Sequence, residues 1–366
     1  MVLPPPSVLR VIEPMLKGPS GHYAEFVRAL AARGSEHLAA IEVVADARAT
    51  DFIPTLGSAT PVRAHPLPAG ALGEARAMRD ALREPRRTLV LTANASHALL
   101  AEAVRPLDGA RLALLPLFVH WPLEKPSQRL ALALSPRVRR RALFLAPTAG
   151  IARSLESARC AKVAQVAYPA TRSGDCRLGA PFRHLLMAGA ARINKGLDLL
   201  VELAEAYAKE GRDLPLLVQV SPKHVDRHGS REDELVARLI AAGYRGLVAD
   251  PKAPDRTEYA ARYEGALVLA PYAREKFAHG VSGIVLDALL HGAPVVATKR
   301  TWAGDVVERF GAGVTFAERS GARLGRAIDE VLSDWPRFAR NAAEASEVLA
   351  REHDPARIAL LLRAHC

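Results

Sequence analysis

The chain has 366 residues, 49% hydrophobic and 24% charged, a length too great for one ordinary core and a composition that excludes a disordered protein. Fifty Lys and Arg against 39 Asp and Glu give a net charge of +11. Residues 1–176 hold 23 basic and 14 acidic side chains, a net of +9, whereas residues 177–366 hold 27 and 25, so a field suited to phosphates belongs to the N-terminal half.

In chain order, Val8–Ile12 is predicted as a strand ending at Glu13-Pro14. A loop with Gly18, Pro19, Ser20 and Gly21 follows, then a helix over Tyr23–Ala32 that stops near Gly34. His37–Val44 and Thr88–Thr92 read as further strands, with a helix from about Ser96. The apolar run Leu112–Val119 reads as a buried strand ending at His120-Trp121-Pro122. Ala142–Leu145 is a short strand, with Thr148 placed to cap the next helix. From Tyr168 to Phe182 the pattern breaks, and Pro169, Gly174, Gly179 and Pro181 mark a linker.

Alternation then restarts. Strands are expected at His184–Met187, Leu214–Val220, Leu247–Ala249, Ala266–Ala270 and Pro294–Thr298. Helices are expected at Leu197–Lys209, Arg231–Ala242, Thr257–Tyr263 and Ser282–His291. The tail from Trp335 to Ala364 reads as helical, broken at Asp354-Pro355. This is the order of two doubly wound parallel sheets, whose ligands sit beyond the carboxyl ends of the strands, with the expected site in a cleft between the two domains.

Cys160, Cys176 and Cys366 lie far apart, which argues against a zinc site and a disulfide scaffold and points to a reducing cytoplasm. The start, Met1-Val2-Leu3-Pro4-Pro5-Pro6, lacks the basic and apolar regions of a signal peptide, and no window of about 20 residues stays apolar enough to span a bilayer.

Two segments carry the chemistry. In the first, a strand ends at Gly189, Arg192 and Lys195 follow, and a helix begins after Gly196. A helix N-terminus beside two cations suits a diphosphate, although an ordinary β-α loop with solvated cations fits the same pattern. In the second, His279-Gly280-Val281-Ser282-Gly283 leads into a helix carrying Asp287, and Gly292-Ala293-Pro294 turns into an apolar strand. Gly280, Ser282 and Gly283 let backbone approach an anion, and Asp287 can accept from vicinal ribose hydroxyls; a buried helix with one satisfied carboxylate is the plainer reading.

In this order and separation, the two segments resemble the retaining glycosyltransferases of family 4, which have the GT-B fold. Gly189–Gly196 is similar to that family's donor loop, and His279–Asp287 to its paired-acid element; the resemblance is strong over residues 184–316. It implies two Rossmann-like domains facing a central cleft: residues 1–176 for the acceptor, 177–340 for the nucleotide-sugar donor, and a helical segment 341–366 packing back on the first. It implies that Lys195 binds the donor diphosphate, that Asp287 binds the ribose, and that Ser282 and Gly283 give backbone contacts. Ala190 stands where the family has an Arg, for which Arg192 can substitute, and His279 stands where it has a Glu. Gly21 matches the family's first glycine loop, and His120 its acceptor-side His, with His279 as the second candidate catalytic residue and His22 and His97 weaker ones. A strand-end His such as His120 is otherwise a packing residue.

The implied chemistry is front-face transfer of a hexosyl group from a nucleotide sugar to a glycan or lipid-linked glycan, in bacterial polysaccharide or glycolipid synthesis. Cations and helix N-termini would stabilise the leaving diphosphate, with no metal or other cofactor required. Arg137, Arg139, Arg140 and Arg141, near Trp121 and Leu123, suit an anionic membrane surface at the inner face of the cell membrane, or simply a solvated helix face. No nucleic-acid motif is present. An inactive domain that binds glycan or a partner enzyme is the alternative, prompted by His279 and Ala190.

Overall fold

The structure, a computed structural model, describes residues 6–19, 21–68, 70–84, 86–106, 110–172, 177–220 and 230–364. The chain divides into two compact units: the residues up to Thr171 with those from Glu352 onward, and Arg172–Arg351.

The first unit runs β1 (Ser7–Glu13), α1 (His22–Arg33), β2 (Leu38–Asp46), β3 (Val62–Leu67), α2 (Gly70–Arg83), β4 (Thr88–Ala93) and α3 (Ala95–Val104). It continues with β5 (Pro116–Val119), α4 (Pro126–Ala133), α5 (Pro136–Arg141), β6 (Leu143–Ala146), α6 (Ala149–Ser157) and β7 (Val163–Gln165). Its seven-stranded parallel sheet has the order β3-β2-β1-β4-β5-β6-β7. β5 and β6 are buried at every position, as apolar four-residue strands covered on both faces must be. The strand order reverses between β1 and β4, the kind of switch point at whose carboxyl edge open α/β sheets bind ligands.

The second unit runs β8 (His184–Met187), α7 (Leu197–Glu210), β9 (Leu216–Gln219), α8 (Ser230–Ala241), β10 (Leu247–Asp250), α9 (Arg256–Ala261) and β11 (Ala266–Ala270). Then come α10 (Arg274–Phe277), α11 (Gly283–Leu290), β12 (Val295–Thr298), α12 (Trp302–Phe310), β13 (Gly313–Phe316), α13 (Gly321–Ser333) and α14 (Trp335–Glu352). Six parallel strands lie in the order β10-β9-β8-β11-β12-β13, reversing between β8 and β11. Side-chain caps start its helices: Asp255 for α9, Ser282 for α11, Thr301 for α12 and Ser320 for α13 each accept a first-turn backbone N–H. Arg172 donates to the Leu290 carbonyl at the C-terminal end of α11 (3.0 Å) and to Ser346 Oγ (2.7 Å), so a cation faces the negative end of that helix.

Several expectations need revision. Leu112 to Leu114 lie in a 3-10 turn over Ala110–Leu114, and only Pro116–Val119 is strand. The whole run is apolar because both pieces face the core, and periodicity does not separate a buried strand from a buried helical turn. Tyr168, expected in a linker, is buried in an aromatic cluster with Phe26, Phe118 and His120. The expected domain boundary at 176 lies outside the described residues. The last segment rejoins the first unit at Glu352 rather than at 341, because Phe338, Ala342, Ala345 and Leu349 give α14 a continuous buried face. Helix α15 (Pro355–Ala364) lies on α1, with Asp354 just before it paired to Arg33 at 3.2 Å, and Arg363 donates to the Glu36 carbonyl at 2.9 Å.

Candidate functional site

The carboxyl end of β8 carries the Gly189–Gly196 loop. Gly189 has φ +73, and a Cβ there would stand 3.3 Å from Lys195 Nζ and 3.2 Å from Ile284 Cδ1. Three sequence-separated pieces therefore meet at one point: the strand end, the Lys195 ammonium and the first turn of α11. The Gly189 N–H donates to Gln219 Oε1 at 3.0 Å and the Ala191 N–H to the Gln219 carbonyl at 3.2 Å, so the end of β9 holds the loop in shape. Gly196 caps α7 at φ +94, and a Cβ would be 2.4 Å from Pro271 Cγ; only glycine allows this approach to the end of β11. The Ala273 N–H donates to the Asn194 carbonyl (2.9 Å) and ties the two loops together.

Lys195 forms no ion pair among the described residues. Burial, with Arg192 nearby as a like charge, pushes its ammonium down to about 8. A cation held in partial desolvation with no ion pair among the described residues suits an anion. Arg192 lies in the same loop, and its carbonyl accepts from Lys195 and Leu197 N–H. Arg192 also lines a cavity of about 390 Å³ with Asn194, Glu232, Lys276 and Arg319.

On the other side of the switch point, Ser282 is buried and capped into α11: its Oγ accepts from the Val285 N–H (3.3 Å) and donates to the Tyr272 hydroxyl (3.2 Å). The side chain is thus committed to the helix start, and the backbone N–H groups of Gly283 and Ile284 remain at a helix N-terminus, the arrangement that favours phosphate. Gly280 is buried just before it. Asp287 lies one turn further along and accepts from the Tyr259 hydroxyl at 2.8 Å. His279 is partly buried near Asp305 of α12, whose carboxyl burial and Glu308 push up against a smaller opposing effect of His279, a different environment from that of Asp287.

In the first unit, Gly21 caps α1 at φ +103 with open space around it, and the exposed His22 follows. His97 sits in the capping box of α3, its Nδ1 accepting from the Asn94 N–H, which gives it a structural duty. His120 directs Nε2 at the Leu91 carbonyl at 2.9 Å, so Nε2 carries the proton and Nδ1 is the acceptor. Burial pushes its pKa down to about 4, and the ring is neutral near pH 7.

The sequence reading passed over Glu13. It is fully buried at the carboxyl end of β1; its carboxyl accepts from the Thr92 hydroxyl and from the Met15 N–H (2.9 Å). Burial outweighs those bonds and pushes it up to about 7. An acid closing an apolar strand was its only sequence signal. Gln219, Tyr259 and Tyr272 were also missed. The spacing of four between Tyr259 and Tyr263 was a signal, but one shared with any helix face.

Of the four arginines expected on a surface, Arg137, Arg140 and Arg141 are exposed, whereas Arg139 is turned inward and donates to the Ala158 carbonyl at 3.2 Å. Beside them on α4 and its neighbours, Leu130 is 61%, Leu134 57% and Trp121 49% exposed, an apolar surface that the arginine count alone did not reveal. No helix among the described residues is long and apolar enough to cross a membrane.

No protein-family model matches this chain, and neither does any curated protein sequence. Solved structures do match it. Anabaena HepE in complex with UDP-glucose superposes with a TM-score of 0.67 at 17% identity, over 97% of this chain and 98% of that one. Sucrose-phosphate synthase from Thermosynechococcus elongatus gives 0.67 at 15% identity over 97% of each chain. WaaG, a glycosyltransferase involved in lipopolysaccharide biosynthesis, gives 0.67 at 14% over 97% and 99%. At these identities the likeness is one of fold, and the fold of this chain is GT-B.

Proposed function

We propose that this chain is a retaining, nucleotide-sugar-dependent hexosyltransferase that extends a glycan or lipid-linked glycan acceptor. The observation that carries the reading is the Lys195 ammonium beside Gly189 at the β8/β11 switch point, against the first turn of α11. It gains support from HepE, which shares the fold and was solved with UDP-glucose. The donor diphosphate is assigned to Lys195, Arg192 and the N-termini of α7 and α11, and the ribose to Asp287. Positive charge already in place there stabilises the departing diphosphate without reorganisation as the glycosidic bond breaks. A diphosphate oxygen takes the proton of the incoming acceptor hydroxyl on the same face, so no protein nucleophile is needed. The acceptor is assigned to the first unit, where His120 Nδ1 and Gly21 offer an uncharged, hydrogen-bonding wall. The cations take the role a metal would otherwise have, so EDTA is expected to leave turnover unchanged.

Calorimetric titration with UDP, ADP and GDP, in wild type and in Lys195→Ala, is the direct test. Binding of one nucleoside diphosphate that the variant loses is expected; binding of none would sink the reading. The alternative, an inactive GT-B module that binds a glycan or a partner enzyme, draws on His279 standing in the place of an acid. It predicts glycan binding without nucleotide binding or turnover.

The reading extends to a cytoplasmic enzyme resting on the inner face of the membrane through Arg137, Arg140, Arg141, Leu130 and Leu134. Basic residues near an anionic surface contribute about 1 kcal/mol each. Co-sedimentation with phosphatidylglycerol vesicles should therefore fall sharply in the Arg137/Arg140/Arg141→Ala variant. Equal sedimentation by both proteins counts against membrane attachment.

A further inference from the structure

Asp287 is gripped from two directions. Its carboxylate accepts from the Tyr259 hydroxyl at 2.8 Å, and Tyr259 in turn accepts from the Tyr263 hydroxyl at 2.6 Å. Its carbonyl accepts from His291 Nδ1 at 2.7 Å, and the His291 ring is stacked on Tyr263 with centroids 5.3 Å apart. Tyr263 is fully buried and meets Tyr259 edge-on at 5.2 Å. Two aromatic rings from α9 and the turn after it thus join the side chain and the backbone of one residue on α11.

We propose that Tyr259 is a positioning residue for nucleotide recognition: its hydroxyl holds the Asp287 carboxylate in the orientation that receives a ribose hydroxyl. The inference rests on the reading of this unit as a nucleotide-sugar site. An aspartate reaches about 1.5 Å less far from its helix than a glutamate would, one C–C bond, so its useful directions are few and a fixed partner matters more. Tyr259 supplies that partner as a neutral donor, which leaves the carboxylate its charge. Tyr263 orients the Tyr259 hydroxyl by donating to it, so that the Tyr259 proton points at Asp287. Burial and the nearby carboxylate hold both phenols well above their usual pKa, which keeps both protons in place throughout the neutral range.

The test compares ribose discrimination, which a purely structural role would not change. Titration calorimetry on the full chain would use UDP with 2′-deoxy-UDP, and the same pairs for ADP and GDP, in wild type, Tyr259→Phe and Tyr263→Phe, with melting temperature recorded for each. Wild type is expected to prefer the ribonucleotide by about tenfold, the worth of one hydrogen bond to a charged group. Tyr259→Phe should weaken the ribonucleotide by about as much while sparing the deoxynucleotide, so the preference collapses; Tyr263→Phe should do the same to a smaller degree. A Tyr259→Phe protein that keeps the wild-type preference overturns this inference alone. Equal weakening of both nucleotides also overturns it and returns Tyr259 to a packing role. A wild type that binds no nucleoside diphosphate instead overturns the donor-site reading beneath it.

Discussion

At the switch point of the first unit, between β1 and β4, stands the acid Glu13; at that of the second, between β8 and β11, stands the base Lys195. Both are displaced toward neutrality by burial, Glu13 up to about 7 and Lys195 down to about 8. Their settings differ in one decisive respect. Glu13 has no exposure and is satisfied by Thr92 and Met15, whereas Lys195 is partly exposed and forms no ion pair among the described residues. Parallel sheets of the same kind thus present opposite chemistry: one edge carries a cation, the other an acid that burial shifts up to about 7 and a His120 that burial keeps unprotonated.

The strongest way to test the neutral edge is through stability. Below about pH 4.5 Glu13 is protonated whether folded or unfolded. Between 4.5 and about 7 the unfolded chain gives up this proton while the folded one retains it, so stability falls as pH rises. The expected loss is about 3 kcal/mol across that window. Glu13→Gln should flatten this part of the curve in urea titrations at pH 5 and 8; an unchanged slope would show that Glu13 is ionised in the fold.

The cationic edge is tested by Lys195→Ala, expected to weaken nucleoside diphosphate binding by about 100-fold, the range of a lost charge-assisted hydrogen bond. A milder version leaves the chain intact. Because the Lys195 ammonium loses its proton near 8, wild-type affinity should fall about tenfold from pH 7 to pH 9, and Lys195→Arg should abolish that fall. The smallest effect belongs to Thr92→Val, which removes one donor to Glu13. It should cost about 1 kcal/mol of stability at pH 8, where the carboxylate is ionised, and less at pH 5.

Much of this was legible in the residues. Strands β8, β11 and β12 were read to within a residue because uninterrupted apolar runs bounded by turns have few other uses. The placement of the Gly189–Gly196 loop between strand and helix was read because glycine, cation and helix start fall in one order. Short polar edge strands were not: β3 carries Arg63, His65 and Pro66, and nothing in its pattern requires burial. The site's supports escaped for a related reason. Gln219 and Tyr259 reach their partners, Gly189 and Asp287, across about 30 positions of sequence, and a hydrogen bond between distant residues leaves no periodic trace. Arg139 shows the converse error, since a run of arginines reads as surface even when one of them turns inward.

The attachment of α15 to α1 has a consequence for synthesis. The first unit is discontinuous: its opening strands leave the ribosome some 300 residues before the helix that completes it, roughly 15 to 60 seconds earlier at ordinary elongation rates. The second unit is a single stretch and can close first, while the earlier-made one still lacks a wall. A chain stopped after Arg351 should therefore release an intact second unit joined to a first unit whose α1 lacks the cover of α15 and its buried Ile358, Ala359 and Leu362, a natural client for a chaperone.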